Sequence, residues 1–289
     1  MGWVWFHRFG SPPYFYRLSK RMVPWFAWSA LVLCVVGLID GLVFAPPDFR
    51  QGDGYRIIFV HVPAALLSLQ VYVVMAASAA IGLIWRMKVA HAVAASCATL
   101  GASFTVVALG TGMLWGKPMW GTYWAWDPRL TSELLLLFLY LGYMGLRSGF
   151  DDTARADRAS AVLAIVGVVN VPIIHYSVVW WNSLHQGSTL IGAGGVAVPS
   201  MWVPLVIMIA AFELYFIALL LIRTRGEILR RERNAHWIGE ALGGPPVDFS
   251  QSGPPASPAS PSVAPPPALG SYGGASGHPA AQHPAAQRG

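Results

Sequence analysis

Long apolar stretches recur along the chain and are separated by short segments that carry most of the charge. Six stretches reach the length of about 20 residues that a helix needs to cross a bilayer. They are residues 22–44, 57–84, 92–114, 129–147, 159–181 and 201–222. Only helices and closed barrels satisfy all their backbone hydrogen bonds in lipid. The pattern therefore predicts an all-α, polytopic integral membrane protein with six transmembrane helices.

The first apolar stretch follows a basic segment that contains Arg17, Lys20 and Arg21, as the apolar region of a signal peptide would. The stretch runs past the usual length of such a region, and the residues that follow it, 42–46, make a poor small-residue cleavage site. We therefore expect an uncleaved first helix.

The amino-acid composition narrows the class of protein. Charged residues make up 11% of the chain and apolar residues 55%, with a mean hydropathy of +0.52. About a quarter of the residues in a soluble domain are charged, so a soluble globular enzyme and a disordered protein are both excluded. Cys34 and Cys97 lie within apolar stretches. This placement excludes a disulfide framework, a cysteine-based zinc site and a Cys-x-x-Cys-His haem attachment.

The basic residues predict the orientation in the membrane. Fourteen Lys and Arg residues lie in the N-terminal segment, the second and fourth connections and the segment after the last helix. The first, third and fifth connections hold four, namely Arg50, Arg56, Lys117 and Arg129. The positive-inside rule therefore places both termini in the cytoplasm. The net charge of +6 then reflects membrane topology, and nucleic-acid binding is not indicated.

This topology divides the chain into four parts. Residues 1–21 form a cytoplasmic N-terminal segment, 22–222 the six-helix membrane domain, 223–242 a basic cytoplasmic segment, and 243–289 a tail. The tail consists mainly of Pro, Gly, Ala and Ser and cannot bury enough apolar surface to fold, so we predict that it is disordered. Catalytic roles for its His278 and His283 are not expected.

Tryptophan is concentrated in the third connection, a predicted periplasmic loop at 115–128. Its aromatic residues are Trp115, Trp120, Tyr123, Trp124 and Trp126. One interpretation is an aromatic belt, because Trp and Tyr favour the headgroup level at helix ends. A belt needs only one or two such residues per helix end. Five of them, interleaved with glycines, favour a flat apolar platform for a planar aromatic ligand.

Two histidines are predicted at the same outer membrane boundary. His61 lies about one turn inside the second helix, and His185 follows the fifth. Alone, the first would be an ordinary core residue and the second an ordinary loop residue. Together, two neutral imidazoles can occupy both axial positions of a haem iron. The tryptophans would then form the walls of the site, and outer cations would pair with the haem propionates.

The predicted haem-binding residues are His61, His185, Trp115, Trp120, Trp124, Trp126, Asp127, Arg56, Lys117 and Arg129. The two histidines are the predicted iron ligands. Asp127 precedes Pro128 and also has a simpler structural explanation, as the N-cap of the fourth helix.

Further polar residues lie at membrane depth. We expect His175 to be a core histidine bonded to a neighbouring helix, and Asn170 to join helices by hydrogen bonding. Glu133 lies in the first two turns of the fourth helix, where the helix dipole favours it. Asp40 and Glu213 have no assigned role, although Glu213 is a candidate for a polar path.

Three segments together closely resemble the CcmC family of cytochrome c maturation proteins, also called haem exporter protein C. They are Tyr55–Pro63, Trp115–Arg129 and Asn170–Thr189. The family belongs to the haem-handling proteins whose tryptophan-rich periplasmic loop ends in Trp-Asp. The resemblance covers roughly residues 12–235, including all six predicted helices, whereas the tail after Gly243 has no counterpart in the family pattern.

The resemblance implies a haem-delivery protein of the bacterial inner membrane, with no conventional enzymatic activity. Residues 22–222 would hold haem b at the periplasmic face and pass it to the haem chaperone CcmE. The small membrane protein CcmD and the ATP-binding cassette pair CcmA and CcmB are the other partners that the resemblance implies. The family's axial histidines correspond to His61 and His185, and its tryptophan loop corresponds to Trp115–Asp127.

Two functions from other classes also fit parts of the sequence. One is a transporter that carries haem or another solute across the bilayer, for which Asp40, Asn170 and Glu213 would have to line a path. The other is an electron-transfer cytochrome b subunit. Such subunits usually hold haem between helices, whereas one of the two histidines here is predicted in a loop.

Overall fold

The structure is a computed structural model that describes residues 8, 10–181, 183–185 and 199–241. These residues belong to one compact unit, Met1–Pro245. The tail predicted to be disordered, 243–289, lies outside the described residues.

Helices account for nearly all of the regular structure in the described residues. The long helices are α1 (Pro12–Ile39), α2 (Ile58–Trp85), α3 (Lys88–Trp120), α4 (Pro128–Ser148), α5 (Thr153–Gly167), α6 (Asn170–Trp180) and α7 (Pro199–Arg231), and the short helix α8 covers His236–Ala241. A π-helical turn, Asp40–Phe44, extends α1, and a 3-10 turn, Asp53–Ile57, leads into α2.

Six helical segments of the described chain are long and apolar enough to cross a membrane. They are Pro12–Phe44, Asp53–Trp85, Lys88–Trp120, Pro128–Ser148, Thr153–Trp180 and Ser200–Arg231. The predicted all-α fold with six spanning segments is confirmed. The orientation of the two ends remains a prediction.

Several helices extend beyond the apolar stretches that predicted them. α1 begins at Pro12, a residue type that suits the first turn of a helix. α7 continues through Arg231, into the segment predicted as the basic cytoplasmic part. Hydropathy identifies the part of a helix that lies in lipid, whereas the helix itself ends where its backbone is capped. The predicted boundaries therefore correspond to the apolar part of each helix, and the helices themselves are longer.

α3 continues through Trp120, so the first residues of the predicted 115–128 loop are helical. The end is set by Gly121, whose φ of 78° lies in the left-handed region and whose N–H donates to Lys117 O at 3.0 Å. Glycine adopts this conformation without the steric cost that a Cβ would impose. Trp115 and Trp120 therefore lie on a helix, and Trp124 and Trp126 lie on the connection that follows it.

The fifth spanning segment is broken into α5 and α6 at residues 168–169. The break lies one turn before Pro172. A proline has no N–H to donate, and its ring clashes with the carbonyl four residues earlier, here that of Val168. The Val168 carbonyl instead accepts from Val171 N–H at 3.0 Å in a tighter turn.

A buried aromatic cluster joins α2, α3 and α4. Tyr140 on α4 is fully buried, and its hydroxyl donates to Ser68 O on α2 at 2.8 Å. Its ring packs where α3 has Gly101, since a Cβ at that position would overlap the phenol. Tyr72 and Tyr140 meet edge to face with ring centroids 5.0 Å apart. This core fixes α2 and α3, the two helices that carry most of the candidate site.

Candidate functional site

The two predicted histidines lie side by side at one end of the bundle, which we call the histidine end. His61 is in the first turns of α2, and His185 is in the segment 183–185 that follows α6. Their ring centroids are 6.1 Å apart and their planes are inclined by 48°. Two imidazoles on one metal ion would have centroids roughly 6.5 Å apart, given metal–nitrogen bonds of about 2.1 Å. The observed separation of the two rings is close to this value.

His61 is held in one orientation by α3. The residue is buried, and its Nδ1 lies 3.0 Å from Thr111 Oγ1. The Thr111 hydroxyl donates to Val107 O at 2.6 Å, so its oxygen is left to accept from His61 Nδ1–H. That tautomer leaves the lone pair on Nε2 free for a metal. Gly112 provides room for the ring, because a Cβ there would lie 3.2 Å from His61 Cε1.

His185 is held through its backbone and has a free ring nitrogen. Its N–H donates to Ser183 Oγ at 3.1 Å, and its Nδ1 is buried without a hydrogen-bond partner among the described residues. Burial and the nearby charge of Arg129 lower the pKa of His185 to about 4. The imidazole is therefore neutral near pH 7, which is the form that binds metals.

Asp127 joins the start of α4 to the segment that carries His185. Its Oδ1 accepts from Arg129 N–H at 2.8 Å and Leu130 N–H at 3.4 Å, which caps α4. Its Oδ2 accepts from Leu184 N–H at 2.8 Å. Burial opposes ionisation, but hydrogen bonds from Ser183, Leu184 and the α4 backbone hold the pKa of Asp127 below its usual value. The predicted N-cap is confirmed, and the bond to Leu184 is an additional contact that positions His185.

Two indole rings extend the histidine pair into a row of four aromatic rings. Trp115 meets His61 edge to face at 5.7 Å, and Trp120 lies 5.6 Å from His185. Trp115 Nε1 donates to Gln51 Oε1 at 2.9 Å, which fixes its ring. The last two turns of α3 thus place one tryptophan against each histidine.

The other two tryptophans form a separate pair. Trp124 and Trp126 meet edge to face, with centroids 5.5 Å apart and planes inclined by 83°. Trp126 is 78% exposed and Tyr123 is 56% exposed. The four tryptophans therefore do not share one plane. One pair lines the histidines, and the other presents Trp126 on the surface.

The three predicted propionate partners differ in how they are engaged. Arg56 donates to Gly41 O at 2.7 Å and to Asp53 at 2.9 Å. Lys117 donates to Gly121 O at 3.1 Å and lies over the Tyr123 ring. For Arg129, the structure shows no side-chain hydrogen bond or ion pair to any described residue, and its charge acts on His185. Arg129 is therefore the cation with free donors beside the histidines.

Two of the remaining polar residues at membrane depth, Asn170 and Glu133, have hydrogen-bond partners on neighbouring helices. Asn170 Nδ2 donates to Ser132 O at 2.9 Å, which confirms its predicted role between helices. Glu133 is buried and accepts from Ser68 Oγ at 2.6 Å.

His175 differs from the prediction that it is a core histidine. It is exposed on α6, with its ring 4.8 Å from that of Tyr176, because the neighbouring Ile174 and Ser177 take the buried face.

Sequence reasoning missed Thr111 and Gln51, the two residues that fix the inner rings. Thr111 is fifty positions from His61, and Gln51 is sixty-four from Trp115. A small hydroxyl in an apolar helix and an amide in a connection carry no distinctive local signal. Each acquires its role only when the helices pack.

The fold and the site together define a polytopic helical membrane protein with a bis-histidine site walled by tryptophan. No group of three or more His, Cys, Asp or Glu in the described part of the chain is arranged to hold a metal ion.

Comparison with known proteins identifies the family. The sequence profile described as CcmC, Heme exporter protein C, matches residues 5–239, so the chain belongs to this family. It is 49% identical to heme exporter protein C of Escherichia coli strain K12 over 240 residues, which are 83% of this chain and 97% of that protein. The Haemophilus influenzae protein of the same name is 45% identical over 238 residues, 82% of this chain and 96% of the relative. The heme exporter protein C of Bradyrhizobium diazoefficiens is 47% identical over 222 residues, which are 76% of this chain and 84% of that protein. The resemblance seen in the tryptophan-rich segment is confirmed.

The contacts of Asp127 predict the effect of removing its charge. Asp127→Asn keeps one acceptor oxygen and cannot serve both α4 and Leu184. We expect the Leu184 amide to exchange its hydrogen faster by about ten-fold or more, since a hydrogen bond to a charged group contributes about 1.5–3 kcal/mol. Hydrogen exchange read by mass spectrometry on the peptide that contains 183–185 measures this. Asp53→Asn, at an exposed carboxylate, is the control; equal exchange in wild type and Asp127→Asn would contradict the assignment.

Proposed function

We propose that this protein binds haem b between His61 and His185 at the periplasmic face of the bacterial inner membrane. It delivers the haem to the chaperone CcmE for cytochrome c maturation. The coarser part of this function, haem export, follows from membership of a family whose members are named heme exporter protein C. The finer part rests on the histidine pair and its surroundings.

The observation that carries the proposal is the pair of imidazoles 6.1 Å apart with a defined tautomer on one side. The contact with Thr111 favours the tautomer of His61 that carries its proton on Nδ1, so Nε2 would be the atom that binds iron, and the buried Nδ1 of His185 has no hydrogen-bond partner among the described residues. A porphyrin supplies four nitrogen ligands and leaves two axial positions, which is the number of ligands that the pair provides.

The surroundings of the pair suit the rest of the haem molecule. Trp115 and Trp120 offer apolar ring surface against a flat macrocycle. Arg129, with free donors, can pair with a propionate by charge-assisted hydrogen bonds. Arg56 and Lys117 already bond to backbone carbonyls, so a second contact to a propionate would use their remaining N–H groups.

Delivery to a partner requires an accessible surface next to the site. The Trp124–Trp126 pair follows directly after α3, and Trp126 is largely exposed. We assign the surface of Tyr123 and Trp126 to docking of CcmE, and the inner pair of tryptophans to holding haem. CcmD and the CcmA–CcmB transporter pair would complete the assembly around the spanning helices. The role is then delivery of a bound cargo, and no residue is assigned to catalysis.

A transporter that moves a solute along its own polar path has less support. Asn170 bonds to Ser132 on α4, whereas Glu213 accepts from Gln70 on α2 at 2.9 Å. These polar groups serve as separate contacts between helices and share no partner within the described part of the chain.

Removal of either histidine is predicted to abolish the six-coordinate site. His61→Ala and His185→Ala each leave one imidazole at the site. Loss of a group that supports a metal ligand lowers affinity by roughly 10–100-fold, and loss of the ligand itself should lower haem affinity by more than that. Titration of the purified full-length protein with haem, followed by visible absorption, measures this. His175→Ala, at an exposed histidine away from the site, should bind as wild type does. An unchanged bis-imidazole spectrum in either site variant would refute the axial assignment.

Thr111 is predicted to act through His61 as a positioning residue. Thr111→Val keeps the shape of the side chain and removes the acceptor for Nδ1–H, so haem affinity should fall by about 10–100-fold with an altered absorption spectrum. Thr111→Ser retains the hydroxyl and should restore both affinity and spectrum. A spectrum and affinity in Thr111→Val equal to those of wild type would show that the hydroxyl does not orient the ring.

The two tryptophan pairs are predicted to serve different steps. Trp120→Ala should weaken haem binding, because it removes the ring against His185. Trp126→Ala should leave haem binding intact and reduce transfer of haem to CcmE. Haem titration and a transfer assay with purified CcmE separate the two effects. Equal losses of haem binding in both variants would argue that all the tryptophans form a single haem-binding platform. Normal transfer of haem to CcmE by Trp126→Ala would contradict the role of Trp126 in docking CcmE.

A further inference from the structure

A second candidate site lies at the end of the bundle away from the histidines. α3, α4 and α7 enclose a cleft of about 510 Å³ there. Its polar lining consists of Arg147, Arg223, Arg230 and Glu227, with the hydroxyls of Ser96, Thr99 and Ser148. We call it the arginine cleft. Thr99 precedes Thr111 by twelve residues on α3, which at 1.5 Å per residue separates the cleft from the histidine site by roughly 18 Å.

The carboxylates around the arginine cleft are already occupied. Glu227 accepts from Arg147 at 3.0 Å, from Arg230 at 2.8 Å and from Arg231 at 2.7 Å. Asp157, behind the cleft, is paired with Arg147 and with Arg231 at 2.8 Å. The pairs of Arg147 and Arg231 with these carboxylates are largely buried and connect α4, α5 and α7.

The arginines outnumber these carboxylates. Arg147, Arg223, Arg230 and Arg231 face only Asp157 and Glu227, so two positive charges remain in excess. The structure gives Arg223 no hydrogen bond or ion pair with any described residue. The Arg230 side chain is 65% exposed; its Nε and Nη2 donate to Glu227, and its Nη1 has no hydrogen bond to a described residue. The cleft therefore presents the Arg223 guanidinium and the Nη1 group of Arg230 as free donors on a framework fixed by the buried pairs.

The chemistry of the cleft suits a phosphate group attached to an apolar chain. Guanidinium groups bind phosphate oxygens with two parallel hydrogen bonds. Ala95 and Met144 contribute apolar lining, and the exposed apolar residues Leu146 and Ile222 directly precede Arg147 and Arg223 in the chain. Basic pockets between spanning helices are typical sites for anionic lipid headgroups. We propose that the arginine cleft binds the phosphate of an anionic phospholipid, through Arg223 and Arg230 above all.

The test measures binding of phosphatidylglycerol to the full-length protein in detergent by native mass spectrometry. The variants are Arg223→Gln, Arg230→Gln and the double variant, and Arg158→Gln, an exposed arginine on α5 outside the cleft, is the control. Arg147 and Arg231 still pair with Glu227 in all of them, so the fold is retained, as thermal unfolding can verify. Affinity should fall about five-fold for each arginine removed and about thirty-fold for both, the strength typical of basic residues at a lipid surface.

The proposal also predicts selectivity. Phosphatidylcholine, whose headgroup has no net charge, should bind more weakly than phosphatidylglycerol, and inorganic phosphate should not displace the lipid at matched concentration. Equal binding of the two lipids, unchanged affinity in the double variant, or an equal loss in Arg158→Gln would overturn the proposal. Displacement by inorganic phosphate would overturn the lipid as the source of the phosphate. Haem binding at the histidine end should be unaffected in all of these variants.

Discussion

The bond from Leu184 N–H to the Asp127 carboxylate is the contact on which the geometry of the histidine end depends. His185 lies in a short segment without regular structure, so helix packing alone does not position it. Asp127 uses one oxygen to cap α4 and the other to hold Leu184, next to His185 in the chain. One side chain thus couples the start of a spanning helix to an iron ligand of the proposed site. This explains why an aspartate should close the tryptophan-rich segment, since asparagine could cap α4 but could not supply both charged acceptors.

The sequence was sufficient to predict the fold class, and the two histidines that it predicts at one boundary do lie side by side in the structure. Apolar length identifies a spanning helix, and His61 and His185 are rare polar residues at the same predicted boundary. The separation of the tryptophans was not predictable in this way. It depends on Gly121 ending α3 after Trp120, so that the helix holds Trp115 and Trp120 and the connection holds Trp124 and Trp126. Thr111 and Gln51 escaped notice because their partners are distant in sequence. The sequence predicts a core position for His175 from its depth in the apolar stretch, whereas the helix face that carries it depends on how α6 packs.

The positive charge of the chain has two structural roles. Its distribution among the connections predicts the orientation in the membrane. At the end opposite the histidines, Arg147 and Arg231 are also buried in ion pairs with Asp157 and Glu227 that join three spanning segments. Breaking such a buried network by removing one partner is strongly destabilising, because it leaves an uncompensated charge. The same arginines create the framework on which Arg223 and Arg230 remain available to an anionic ligand.

The central claim is that one iron ion is bound by His61 and His185 together. Electron paramagnetic resonance of the full-length protein loaded with ferric haem tests it most directly, with samples prepared with and without ¹⁵N-labelled histidine. The account predicts a low-spin, six-coordinate spectrum with hyperfine coupling to two histidine nitrogens on the axis of the haem. A high-spin, five-coordinate spectrum, or coupling to only one histidine, would contradict it.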